Sequence, residues 1–189
     1  MTEATVTRKT KETDITVTVS PAAGESDIRT GIGFFDHMLT ALAFHGGFAL
    51  TARAEGDLHV DAHHTVEDMG LVLGQALREA LGDRRGIERF GESHVPMDEA
   101  LGFAALDISS RPFLTFDAEL AGCIGTYDAA LTREFFRALA TAGGFTLHLR
   151  ATGENAHHKT EALFKAAGRA FRQAARVTGG DVPSTKGAL

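Results

Sequence analysis

The chain carries Ala62-His63-His64-Thr65-Val66-Glu67 and, 94 residues later, Ala156-His157-His158-Lys159-Thr160-Glu161, so one Ala-His-His-x-x-Glu pattern occurs twice. Imidazole and carboxylate are donors of divalent-metal centres, and a duplicated set in the same order is hard to explain by packing alone. If each motif opens a helix, successive side chains point about 100° apart, so neighbouring histidines cannot comfortably hold one ion. Each glutamate lies three and four residues from its histidines, the spacing at which helical side chains meet. Two ions are therefore expected, with His63, His64, Glu67, His157, His158 and Glu161 as ligands. One motif has too few donors for a six-coordinate ion. Each site is expected to draw on both motifs, within one subunit or across an interface, which implies an oligomer. With no thiolate in the set, zinc, manganese, iron and nickel all remain open.

The repeat is wider than the histidines. Gly46-Gly47-Phe48 returns as Gly143-Gly144-Phe145, and Gly74, Ala76, Arg78 and Ala80 match Gly168, Ala170, Arg172 and Ala174 at the same 94-residue offset. The chain reads as two copies of one half-domain, about 1–92 and 93–180, followed by a tail at 181–189. Alignment on the two Gly-Gly-Phe sequences sets His37 opposite Glu134, 97 residues apart, as one further ligand for each site. His45, two helical turns beyond His37 on roughly the same face, is placed to touch a substrate.

The elements that must position these groups follow from periodicity. Ile15, Val17 and Val19 alternate as a strand that closes in a turn at Ser20 to Gly24, and a short strand is expected near Asp27 to Ile32. Phe35, Met38, Leu39 and Leu42 have helical spacing up to a left-handed cap at Gly46-Gly47, after which Phe48 and Leu50 start a strand. Val66, Met69, Leu73, Leu77 and Leu81 make one apolar stripe from the first motif to Gly82. The second half repeats the order: strands near Ala100–Ile108 and Pro112–Glu119, a helix over about Asp128–Ala142, a strand at Phe145–Leu149, and a helix from His157 to Gly179-Gly180. Residues 83–93 read as a connection. Each half is thus expected to be ββαβα, an α+β unit with a mixed sheet covered on one face by two helices.

Composition narrows the function. The 189 residues are 43% hydrophobic with a net charge of −6, which suits a globular domain and argues against nucleic acid or an anionic membrane as partner. One cysteine, Cys123, excludes an internal disulfide and a cysteine-based zinc ribbon, and points to a reducing cytoplasm. Residues 1–14 are polar and no apolar run approaches the ~20 residues of a membrane span, so no leader or anchor is expected. There is no P-loop, no dinucleotide fingerprint and no zinc-protease helix. His148 is expected on the polar face of its strand, and His59 and His94 in loops.

Longer segments carry a resemblance. Gly33-Phe34-Phe35-Asp36-His37-Met38-Leu39, Asp61 to Asp68, Arg111-Pro112, Glu134-Phe135-Phe136-Arg137-Ala138, Gly153 to Glu161 and Pro183-Ser184-Thr185-Lys186-Gly187 together resemble imidazoleglycerol-phosphate dehydratase, over nearly the whole chain. The resemblance implies a carbon–oxygen hydro-lyase of histidine biosynthesis with a ribosomal protein S5 domain 2-like fold of two ββαβα halves. It implies two Mn²⁺ ions per active site, replaceable by other divalent ions, and a cytoplasmic 24-mer built from trimers with sites at subunit interfaces. The position of Glu134 is histidine in some members and glutamate in others.

The implied reaction converts imidazole glycerol phosphate to imidazole acetol phosphate. No carbonyl acidifies the proton to be lost, so the imidazole must act as electron sink. A ring bridging both ions as imidazolate would help expel the C3 hydroxyl through a diazafulvene-like intermediate, after which loss of the C2 proton gives an enol and then the ketone. Glu12 matches the family's N-terminal, substrate-contacting glutamate and is the leading base; Glu67 and Glu161 are the other catalytic carboxylates, more directly ligands. By resemblance Arg89, Arg111, Ser184 and Lys186 bind the phosphate, with Lys165 as an addition. His37, His45 and His63 are further candidates for substrate contact. Two other classes compete: a metal-dependent phosphate-ester hydrolase, and a storage cage whose motifs only hold ions.

Overall fold

The computed structural model describes residues 1–21 and 24–187. Ala22 and Ala23 of the expected turn, and Ala188 and Leu189 of the expected tail, lie outside the described residues.

The first half contains β1 (Ala4–Lys9), β2 (Thr13–Ser20), β3 (Asp27–Arg29), α1 (Gly33–Gly46), β4 (Ala49–Gly56) and α2 (His63–Leu81). The second contains β5 (Phe90–Met97), β6 (Ala100–Ile108), β7 (Phe113–Asp117), the two-residue strands β8 (Cys123–Ile124) and β9 (Tyr127–Asp128), α3 (Leu131–Gly143), β10 (Phe145–Thr152) and α4 (Ala156–Ala174). Two mixed four-stranded sheets result, ordered β1-β2-β4-β3 and β5-β6-β10-β7, each with its last pair parallel. The strand order repeats element for element.

Several expectations change. Each half is βββαβα, because an edge strand precedes the ones that alternation revealed: β1 lies in the stretch read as merely polar, and β5 occupies part of the expected connection and begins before residue 92. His94 therefore lies in β5, its ring tilted against that of Phe103 with centroids 4.7 Å apart, and not in a loop. The last helix stops at Ala174, short of Gly179, and α3 starts at Leu131, after a β8–β9 hairpin that the first half lacks.

On α2, Val66, Met69, Leu73, Leu77 and Leu81 are all buried, as the stripe requires. Helices α1 and α2 cover the first sheet and α3 and α4 the second, with α2 packed on α3 and α1 on α4, so the four helices lie between the sheets around one continuous core. Two repeat glycines explain themselves here. A Cβ on Gly74 would stand 2.5 Å from the Leu139 carbonyl oxygen, and one on Gly168 2.5 Å from that of Leu42, so in each half the backbones of the crossing helices touch. This close crossing sets α1 beside α4 and α3 beside α2, and those pairs carry the candidate ligands.

Candidate active site

Both motif helices begin at or one residue before their first histidine, for a local reason. The His63 N–H donates to Asp61 Oδ1 at 2.7 Å, and Asn155 Oδ1 accepts from the N–H groups of His157 and His158 at 2.9 and 3.4 Å, which satisfies amide donors that a helix start leaves free.

At the first half-site, His37 on α1 meets His157 and Glu161 on α4. Their donor atoms all lie within 4.8 Å of one another, the one such His/Asp/Glu group among the described residues. His157 Nε2 is 3.1 Å and His37 Nε2 3.5 Å from Glu161 Oε2, while Lys165 holds the other oxygen at 2.8 Å. Burial acts to raise the Glu161 carboxyl, but Lys165, His37 and His157 together hold it below the usual carboxylate range. A carboxylate kept ionised beside two imidazoles is a donor set for a divalent ion.

At the second half-site, α2 supplies His63 and Glu67, 3.8 Å apart, and α3 supplies Glu134. Here an arginine intervenes: Arg137 Nη2 lies 2.9 Å from Glu67 Oε1 and 2.6 Å from Glu134 Oε2. Within the chain, each half-site uses one motif plus the residue from α1 or α3, because the helices pair α1 with α4 and α2 with α3; of the two expected ways to combine both motifs in one site, this leaves the one across an interface between copies.

The second histidine of each motif points elsewhere, as the 100° step requires. His64 Nδ1 is 3.0 Å from Asp57 Oδ2 and 3.9 Å from Glu12 Oε2; His158 Nδ1 is 2.8 Å from Glu99 Oε2. The Asp57 and Glu99 carboxylates raise the two imidazoles above their ordinary value. Glu99 is in turn lowered to about 2 by the His158 bond and by backbone N–H groups led by Asn155. A carboxylate on Nδ1 fixes the ring and turns Nε2 outward, the arrangement that orients metal-binding histidines. Glu12 and Glu99 each immediately precede the second strand of their half, β2 or β6.

The phosphate candidates form a separate cluster. Arg89 Nε is 2.7 Å from Asp107 Oδ1 and its Nη1 donates to the Pro183 carbonyl at 2.9 Å, while Arg111 Nη2 lies 3.1 Å from Asp107 Oδ2. Arg89 adopts φ 72, a left-handed conformation costly for a side-chain-bearing residue, and its N–H donates to the Ala174 carbonyl. The tail is thereby tied to Arg89, and the Lys186 N–H reaches Ser184 Oγ at 3.2 Å. Lys165 is not in this cluster but beside the first half-site. His45, near Lys165 and Arg169, is held below its ordinary pKa by burial and by those two cations.

Arg137, Asp57, Glu99 and Asp107 were absent from the sequence-based candidates. Only Glu99 had a usable signal, since it stands before β6 as Glu12 stands before β2. His148 is exposed, as expected.

The imidazoleglycerol-phosphate dehydratase family model matches residues 30–171. The chain belongs to the imidazoleglycerol-phosphate dehydratase family. It is 57% identical to the imidazoleglycerol-phosphate dehydratase of Acidiphilium cryptum over 98% of both chains, and 58% identical to that of Symbiobacterium thermophilum over 97% of this chain and 91% of the relative. Among solved structures, the dehydratase of Staphylococcus aureus superposes with a TM-score of 0.84 at 39% identity, covering 94% of this chain and 99% of that one. The Pyrococcus furiosus enzyme in complex with (S)-C348 gives 0.86 at 40%, covering 97% and 100%. The α+β fold expectation holds, and the protein is a hydro-lyase of histidine biosynthesis, which removes the hydrolase and storage-cage alternatives. Among the described residues no helix is long and apolar enough to cross a membrane.

Proposed function

We propose that this chain dehydrates imidazole glycerol phosphate to imidazole acetol phosphate with Mn²⁺ at its two half-sites, each active site being completed by another copy of the chain. The observation that carries this reading is the convergence of His37, His157 and Glu161 within 4.8 Å in a member of this family. Two imidazoles and a carboxylate without thiolate suit Mn²⁺, and other divalent ions are expected to substitute. His37, His157 and Glu161 would hold one ion, and His63, Glu67 and Glu134 the other. His64 and His158, with Nδ1 engaged, keep Nε2 for an ion presented by a neighbouring copy. When bound, the ions supply Lewis acidity to the substrate imidazole, the electron sink of the elimination.

The chain's own groups bind the phosphate and move the proton. Arg89 and Arg111 outnumber the single Asp107 between them and, with Ser184 and Lys186, give a phosphate cradle of net positive charge. Glu161 and Glu67 would be engaged as ligands, which leaves Glu12, exposed on the β1–β2 turn beside His64, to accept the C2 proton. The C3–O bond breaks, the hydroxyl leaves with a proton as water, and the enol rearranges to the ketone.

The cradle is tied to Ala174 at the end of α4, whereas Glu161 lies near its start. The thirteen-residue step from Glu161 to Ala174 spans about 20 Å at 1.5 Å per residue. A molecule the size of imidazole glycerol phosphate does not bridge that distance, which favours sites at subunit interfaces and, by resemblance, a cytoplasmic 24-mer of trimers. The acidic net charge argues against nucleic acid or an anionic membrane as a partner. The test is to strip the protein with chelator, add back Mn²⁺ and follow product: turnover restored by the ion supports the reading, and an intact remetallated protein that makes no product refutes it.

A further inference from the structure

The two half-sites occupy equivalent positions but differ in charge. The first has two imidazoles and one carboxylate; the second has one imidazole, His63, and two carboxylates, Glu67 and Glu134. Two carboxylates facing a shared position repel one another unless a cation lies between them. In this structure that cation is Arg137, one turn beyond Glu134 on α3, whose single Nη2 contacts an oxygen of each carboxylate at 2.9 and 2.6 Å.

Among the described residues, no cation stands between donors of the first half-site in this way. The position 97 residues before Arg137 is Thr40, whose hydroxyl turns back to the Asp36 carbonyl at 2.8 Å. Lys165 does touch Glu161, but on Oε1, leaving Oε2 facing His37 and His157. Lys165 therefore stands beside the ligand set, whereas Arg137 stands between two of its members. An ion shared by Glu67 and Glu134 must displace the guanidinium from at least one of them.

We propose that Arg137 is a resident counter-cation of the second half-site: it holds Glu67 and Glu134 together in the metal-free protein and must be displaced for the ion to enter. The two half-sites then bind metal unequally, the first tightly and the second more weakly. The inference rests on the reading of both half-sites as Mn²⁺ sites. A residue that merely orients the carboxylates would make the opposite prediction, because its loss would weaken metal binding.

The experiment titrates Mn²⁺ into chelator-stripped, full-length wild type, Arg137→Gln and Arg137→Lys, with free Mn²⁺ read by electron paramagnetic resonance and the melting temperature of each metal-free protein measured alongside. Wild type is expected to show two affinity classes. Arg137→Gln should tighten the weaker class at least tenfold, leave the tighter class unchanged and lower the metal-free melting temperature; Arg137→Lys, which keeps the charge, should retain the weaker class and folding. Unchanged or weakened binding in Arg137→Gln, with the Lys variant folded and like wild type, overturns the proposal alone. Absence of Mn²⁺ binding in every protein overturns the manganese reading and the proposal with it.

Discussion

At one half-site α1 brings an imidazole, His37, to the His157–Glu161 pair; at the other α3 brings a carboxylate, Glu134, to the His63–Glu67 pair. The scaffold beneath is the same in both: helices cross on Gly168 and Gly74, and caps at Gly47 and Gly144 end α1 and α3. The backbone has kept its pseudo-symmetry while the candidate ligand sets differ in charge. Duplication fixes where a donor sits, and the local charge balance then determines which neighbour must accompany it. Lys165 beside Glu161 and Arg137 between Glu67 and Glu134 are two solutions to that balance.

The comparison breaks most sharply if one half-site proves dispensable. His157→Ala and His63→Ala are each expected to abolish turnover and to remove one Mn²⁺ per chain by elemental analysis; substantial activity in either would mean that only one half-site matters. Next in size are the carboxylates behind the outward histidines. Glu99→Gln and Asp57→Asn should each lower metal affinity or activity by about 10–100-fold, as loss of a partner behind a metal-binding histidine does. An effect confined to Glu99→Gln would locate the asymmetry in these pairs as well.

Smaller effects test the scaffold. Gly74→Ala and Gly168→Ala each insert a methyl group against a facing carbonyl, expected to cost about 1–3 kcal/mol in chemical denaturation. Similar losses would affirm that the two crossings are equivalent, and a large disparity would show that they are not. The smallest effect concerns His45, which has no histidine at the matching position in the second half, where Ala142 stands. Its folded pKa lies below 6.5, so the unfolded chain takes the proton first. Stability is full above 6.5 and declines as pH falls below it. His45→Gln should flatten that decline, and melting curves between pH 7 and 5 would reveal it.

The parts of this molecule legible in the sequence were those with a strong period or a repeat. The α2 stripe and the alternation in β2 announced themselves because one whole face is buried. Strands β1 and β5 did not, being edge strands with little apolar signal. In β1 only Val6 is buried, and in β5 the one buried residue is Gly91, where a Cβ would meet the Ala170 carbonyl at 2.0 Å. Contact there demands the absence of a side chain, so hydrophobicity cannot mark it. The histidines, Glu67 and Glu161 were legible from the duplication, and His37 with Glu134 from alignment of the halves. Arg137 was not, because an arginine three residues after a glutamate looks like any solvated helical pair until the fold sets α2 against α3.

The central claim is that the metal ligands and the phosphate cradle of one active site come from different copies of the chain. The most direct test mixes two inactive variants, His157→Ala and Arg89→Ala, after dissociation and reassembly. Activity should reappear in the mixture although neither parent has any, because some interfaces then pair an intact metal half-site with an intact cradle. If the mixed assemblies form and remain inactive, ligands and cradle act within a single chain and the account is contradicted.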